Sequence, residues 1–110
     1  DEILKTCDIV VDVGRVYDHE SRRYDHHQPT FQATLSTIFP NKTFGDIRLS
    51  SAGLIYAHYG HEIIANQLNY TPKDSRTDKI FDIVYENFIR EIDGIDNGNC
   101  YFSAHFSPFF

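Results

Sequence analysis

The sequence predicts an α/β domain, part of a sandwich in which a parallel sheet is flanked by helices. Three observations carry that reading: a short β-branched run near the start, an irregular crossover after it, and two helical stretches beyond the crossover. One clear strand cannot make a sheet, so the pattern describes a portion of a fold. The chain has 110 residues, 41% hydrophobic and 15% aromatic, which suits a single domain with a compact core. A domain of this size buries about 60–70% of the surface its unfolded chain exposes, so its sheet must be nearly complete to be stable.

The chain opens on a polar, helix-like stretch, "DEILKTC", without an initiating Met, as an internal piece of something longer would. Ile9 to Val13, "IVVDV", is β-branched and almost continuously apolar until Gly14 ends it. That composition predicts a strand buried on both faces of a parallel sheet, with Asp12 as the exception inside it. "RVYD" and "RRYDHH" flank a polar "HES" and predict an extended return or hairpin that brings Asp25, His26 and His27 back towards the first strand. Residues 29–49 carry Pro29, Pro40, Asn41 and Gly45 among scattered Phe, and read as an irregular segment able to act as a flexible cover over a site.

"SSAGLIYAHYGHEIIANQL" predicts a helix starting at Ser50 or Ser51, with serine caps and Ala52, Ile55, Tyr59 and Ile63 at helical spacing. Gly53 and Gly60 weaken it slightly or permit close packing. Pro72 and a polar run to Thr77 lead into "DKIFDIVYENFIREIDGIDNG", where Phe81, Tyr85, Phe88, Ile92 and Ile95 form an apolar stripe. Asn97-Gly98 is a fitting stop for that helix.

A formal charge of −6 argues against a general nucleic-acid coat protein, whose affinity comes from Lys and Arg neutralising phosphates. It does not exclude a nuclease, because carboxylates that hold divalent cations make a chain acidic and the bound metal reverses the local field. Cys7 and Cys100 lack metal-ligand spacing and read as reduced, buried thiols in a reducing compartment. No apolar run approaches the roughly 18 residues of a membrane span. The triplets at Asn41 and Asn69 that resemble glycosylation sites carry little weight without a secretory signal.

The residue types that carry chemistry gather in a few places. Asp12 lies near the carboxyl end of the first strand, where open α/β sheets place ligand-binding groups; it suits a cation, or backbone N–H groups at the following turn. Asp25-His26-His27 pairs a hard carboxylate with imidazoles, a set that suits Mn²⁺, Mg²⁺, Fe or Zn²⁺, and reads otherwise as a solvated polar loop. Asp93 and Asp96 share a helix face near its C-terminal end, where each negative charge costs about 0.3–1 kcal/mol. A divalent cation would compensate that placement, and so would an ordinary Asp96-Asn97-Gly98 turn. Arg15, Arg22 and Arg23 match phosphate oxygens, and equally suit an exposed hairpin. His58 and His61 stand three apart and suit a helix surface better than a metal, whereas His19 and His105 carry no pattern. His61-Glu62 lacks the second His of a zinc-protease helix, and no phosphate loop or serine elbow occurs.

In combination, "CDIVVDVGRVYD", "RYDHHQ", "LSSAGLIYAHYG" and "YENFIREIDGIDNG" resemble the melanocyte-proliferating-gene-1 family, a branch of the DHH phosphoesterase superfamily. The resemblance runs from Cys7 to Gly98, four blocks in the family order. It implies a DHH-type α/β domain and a two-metal phosphodiesterase centre, Mn²⁺ with Mg²⁺ as the alternative, acting as a 3′ to 5′ exonuclease on RNA or a nucleotide in mitochondrion and nucleus. Asp12 then matches the aspartate that bridges both metals and His26 the ligating histidine. Asp25 matches the residue that orients His26, His27 the one facing the scissile phosphate, and Asp93 the last metal aspartate, with Asp96 competing. Arg15, Arg22 and Arg23 would hold substrate phosphate.

The family's opening segment, rich in His and Asp, has no counterpart before Asp12, Arg15 stands where a second Gly is usual, and the large carboxy-terminal half does not follow Gly98. Residues 1–110 are therefore expected to form part of the catalytic domain. The rival expectation is a non-catalytic remnant that binds metal or a protein partner; a structural zinc module is disfavoured because Cys7 and Cys100 lack neighbouring ligands. An incomplete sheet further predicts an exposed apolar edge and self-association, with no membrane partner.

Overall fold

A computed structural model describes residues 2–42 and 46–96. A 3₁₀ turn at Leu4–Thr6 precedes three two-residue strands, β1 (Val10–Val11), β2 (Tyr17–Asp18) and β3 (Arg23–Tyr24). Helices follow: α1 (Leu35–Ile38), α2 (Ser51–Leu68), α3 (Ser75–Val84) and α4 (Arg90–Asp96), the last two joined by a π-helical turn at Tyr85–Ile89. The fold is therefore mixed α/β. No helix among the described residues is long and apolar enough to cross a membrane.

The sheet order is β1-β3-β2, with β1 parallel to β3 and β2 antiparallel to it. The predicted hairpin is present as β2–β3, in the register Tyr17 to Tyr24 and Asp18 to Arg23. The sheet is thus mixed, not wholly parallel. The first strand is also not buried on both faces: Val10 is buried, but Ile9, Val11 and Val13 are 48%, 41% and 52% exposed. β1 is an edge strand here, and one neighbour covers too little of it.

Residues 29–49 are less irregular than predicted. Thr34 caps α1 through a capping box with Thr37, and Thr34 bridges Arg48 in an antiparallel pair. Phe31, Leu35 and Leu49 enter the core beside Tyr24, Leu54 and Phe81, so the described parts of this segment form a wall of the core. Lys42 anchors its far end to α3 through Asp78 at 3.0 Å and Asp82.

α2 begins as predicted, with the Ser50 hydroxyl accepting the Gly53 N–H at 3.1 Å, and it ends on Asn69 in the left-handed conformation. Its buried face overlaps the predicted one only in part: Ile55 and Tyr59 pack against the core. Gly53, Leu54, Ala57, Gly60 and Ala65 are buried, whereas Ala52 is exposed and Ile63 is 53% exposed. Small residues let neighbouring helices come close, and a Cβ on Gly60 would lie 2.8 Å from the Phe81 ring.

α3 starts earlier than predicted because Asp74 caps it, accepting the Arg76 N–H at 2.8 Å. Beyond it the predicted stripe slips. Phe81 and Tyr85 are buried, but the next inward residues are Ile89 and Asp93, leaving Phe88 61% and Ile95 58% exposed. The cause is the π turn, in which the Arg90 N–H reaches back to the Tyr85 carbonyl and one extra residue is absorbed. Every inward position after it falls one residue late, which is why an aspartate faces the core. The predicted stop at Asn97-Gly98, together with Cys100 and His105, lies outside the described residues. Cys7 is exposed and not buried as expected, following a turn in which no residue is buried.

Candidate metal centre

β1 and β3 run parallel, so the chain segments leaving them emerge side by side. The Asp12 N–H extends the ladder to the Tyr24 carbonyl at 2.9 Å, and Asp12 itself takes a φ of 66°, which a non-glycine residue adopts at a cost. Asp25, His26 and His27 follow Tyr24 directly. Each of Asp12, Asp25, His26 and His27 places a donor atom within 4.8 Å of those of the others. Two carboxylates with two imidazoles form a set of hard and borderline donors, which fits a divalent cation such as Mn²⁺, Mg²⁺, Fe²⁺ or Zn²⁺.

Asp25 is the buried anchor of the group, 1% exposed. Its Oδ2 accepts the Arg15 N–H at 2.7 Å, and its Oδ1 accepts the His27 N–H at 3.2 Å and faces His27 Nδ1 at 2.5 Å. Burial alone would raise its pKa, but these hydrogen bonds outweigh it and hold the carboxyl below the usual range. An ionised Asp25 keeps a proton on His27 Nδ1, leaving the His27 Nε2 lone pair directed outwards. The carboxylate expected to orient His26 therefore holds His27.

His26 is held from α2 and α4 instead. Ser51 donates its N–H to His26 Nδ1 at 3.0 Å and brings its hydroxyl to the same atom at 2.8 Å. His26 Nε2 meets Asp96 Oδ2 at 2.7 Å, and Asp12 Oδ1 lies 3.9 Å from Nδ1. Between the acids is an open cleft of about 270 Å³, lined by Asp12, Ser51, Ile92 and Asp96 among others. Asp12 is 63% exposed there, not buried at a strand end.

Asp93 lies outside the group of four. It is fully buried beneath the start of α2, where its Oδ1 accepts the Ser50 N–H at 3.0 Å and the Ser50 hydroxyl at 2.7 Å. Burial pushes its pKa up to about 6, against the lowering effect of the Ser50 hydrogen bonds and with a small further push from Asp96. Of the two competing aspartates, Asp96 is the one that touches His26.

The three arginines divide. Arg23 spends its guanidinium on the carbonyls of Leu4 and Cys7, both at 3.1 Å, and of Ser21 at 2.9 Å, clasping the first turn onto β3. In this arrangement its guanidinium acts as a structural clasp. Arg15, ahead of β2, and Arg22, in the turn between β2 and β3, are exposed with left-handed backbone.

Sequence reasoning missed Ser51, which it took for a helix cap, and a polar network between the β2–β3 hairpin and the middle of α2. There His19 and His58 stack at 3.9 Å, His19 bonds the Tyr24 hydroxyl, and that hydroxyl bonds Tyr59 at 2.7 Å. Burial, with the neighbouring His19, pushes the His58 pKa down. His61 goes elsewhere, to Asp78 at 2.9 Å.

A family model described as Uncharacterised protein family (UPF0160), the MYG1 exonuclease model, matches residues 1–109. The MYG1 exonuclease of Homo sapiens is 50% identical over 97 residues, 88% of this chain and 26% of that protein. That of Rattus norvegicus is 50% identical over 97 residues, 88% of this chain and 25% of that protein. The MYG1 protein of Schizosaccharomyces pombe is 39% identical over 112 residues, 99% of this chain and 32% of that protein. The chain spans about a quarter of the length of the mammalian relatives. No solved structure matches.

Proposed function

The chain belongs to the MYG1 exonuclease family, and from that premise we propose that it carries part of the metal centre of a phosphodiesterase that removes nucleotides from the 3′ end of RNA. The convergence of Asp12, Asp25, His26 and His27 within 4.8 Å is the observation that supports this reading. Asp12, His26 and Asp96 would hold a divalent cation at the cleft, Mn²⁺ or in its place Mg²⁺, with further ligands outside this chain. When bound, such a cation, working in a pair, would supply polarisation of the phosphoryl oxygens and a nucleophilic water near neutral pH. His27, aligned by Asp25, presents its Nε2 to the substrate phosphate or to a proton in transit. The exposed guanidinium groups of Arg15 and Arg22 meet phosphates of the RNA strand. The family resemblance supports action in mitochondrion and nucleus.

The test is degradation of a 5′-labelled RNA by the full protein that carries this sequence. A 3′ to 5′ ladder that needs Mn²⁺ and disappears in Asp12→Asn and His26→Ala is expected. A ladder that survives both substitutions overturns the reading.

The free edge of β1, with Ile9, Val11 and Val13 half-exposed, favours a second role for this stretch, self-association of the isolated chain. Sedimentation of the 110-residue chain as a sharp monomer that melts cooperatively would contradict it.

A further inference from the structure

Ser50 and Ser51 do different work. Ser50 caps α2, so the helix has its N-terminal hydrogen bond without any help from the next side chain. The Ser51 hydroxyl is nonetheless 3% exposed as a residue and turned to His26 Nδ1 at 2.8 Å, beside its own N–H at 3.0 Å. A buried hydroxyl that the helix does not need asks for another explanation, because alanine would serve α2 as well and avoid the desolvation.

The two Ser51 groups answer to two tautomers of one ring. A backbone N–H can only donate, so it suits a His26 whose Nδ1 is bare and whose Nε2 carries the proton. That tautomer has no lone pair to offer a cation at Nε2. The hydroxyl can also accept, so it alone suits the tautomer with a proton on Nδ1 and a bare Nε2. Ser51 is held where it can do this by Asp93, which grips Ser50 through both its N–H and its hydroxyl, and which Gly53 admits by lacking a side chain.

We infer that Ser51 is a positioning residue whose hydroxyl stabilises the metal-competent tautomer of His26, with Asp93 as the buried fastening behind it. The inference rests on the metal reading proposed above and goes beyond it in assigning roles to residues that touch no cation.

The full protein is titrated with Mn²⁺ by calorimetry as wild type, Ser51→Ala and Ser51→Thr, each also melted after EDTA treatment. Ser51→Ala should bind Mn²⁺ about 10–100-fold more weakly with its melting temperature little changed, and Ser51→Thr should restore the affinity. Equal affinity in Ser51→Ala overturns the inference while leaving the metal reading in place. Absence of Mn²⁺ binding in the wild type overturns the metal reading itself. Should Ser51→Ala fail to fold, Ser51→Cys, nearly isosteric but a poor hydrogen-bond acceptor, takes its place in the same titration: weaker Mn²⁺ binding is expected, and an affinity equal to wild type refutes the role of the hydroxyl.

Discussion

Gly53 on α2 and Asp93 on α4 approach so closely that a Cβ on Gly53 would lie 2.3 Å from Asp93 Oδ1 and 2.7 Å from Oδ2. The carboxylate cannot swing aside, because Ser50 grips it twice. Gly53→Ala should therefore cost about 1–3 kcal/mol through overpacking, read as a lower urea midpoint at an unchanged slope. Adding Asp93→Ala should recover part of that loss, a non-additivity expected of residues in direct contact. Full additivity would mean that the two do not meet.

Asp93 makes stability depend on pH in an uncommon direction. Burial raises its folded pKa to about 6, above the unfolded value of 3.8, so the native state holds the extra proton between these values. The contribution is fully present below about pH 4 and is lost as pH rises through about 6. Asp93→Asn keeps an oxygen for Ser50 without the charge. In EDTA-treated protein it should be more stable than wild type at pH 7.5 and no more stable at pH 4, by denaturant titration at both.

Asp25 works with the opposite sign. Burial would raise its pKa, but the Arg15 N–H and His27 together hold it low, so its stabilisation is present above the unfolded carboxyl range and is lost as pH falls through the depressed folded value. Asp25→Asn should release the His27 ring from its tautomer and weaken Mn²⁺ binding about 10–100-fold. Calorimetry measures the affinity, and the loss should be matched by a smaller change in stability below pH 4 than at pH 7.

Arg23→Lys separates clasp from phosphate ligand. A lysine keeps the charge but cannot reach the carbonyls of Leu4, Cys7 and Ser21 together, so stability should fall by about 1–3 kcal/mol. The salt dependence of RNA binding by the full protein should not change. On the proposed reading Arg15→Ala and Arg22→Ala should flatten that dependence instead, since each would remove a phosphate contact.

What the sequence disclosed was local. The Ser50 cap, the hairpin around His19 and the clustering of Asp25, His26 and His27 depend on neighbours a few residues apart, and each is present. The amphipathic stripes were read less well. The α2 stripe holds at Ile55 and Tyr59, which pack against the core, and not at Ala52 and Ile63, because Gly53, Ala57 and Gly60 bury a helix face by being small. The Asp93 orientation was hidden because a π turn has no compositional signature, and the helical period before it gives no warning of the slip after it. The pairing of Ser51 with His26 joins residues far apart in the chain, and nothing in either block names the other.

The π turn at Tyr85–Ile89 also says where this helix can change length. A residue held in a bulge is surplus to the regular spiral, and each residue of a regular helix adds about 100° of rotation. Deleting one residue inside the bulge, Asn87 for instance, would straighten the helix while leaving Ile89, Asp93 and Asp96 on the faces they already occupy. The same deletion within α4 would turn Asp96 away from His26. Natural length variation among homologous chains should accordingly collect between Tyr85 and Ile89, and a gap there is compatible with an intact centre where a gap a turn later is not.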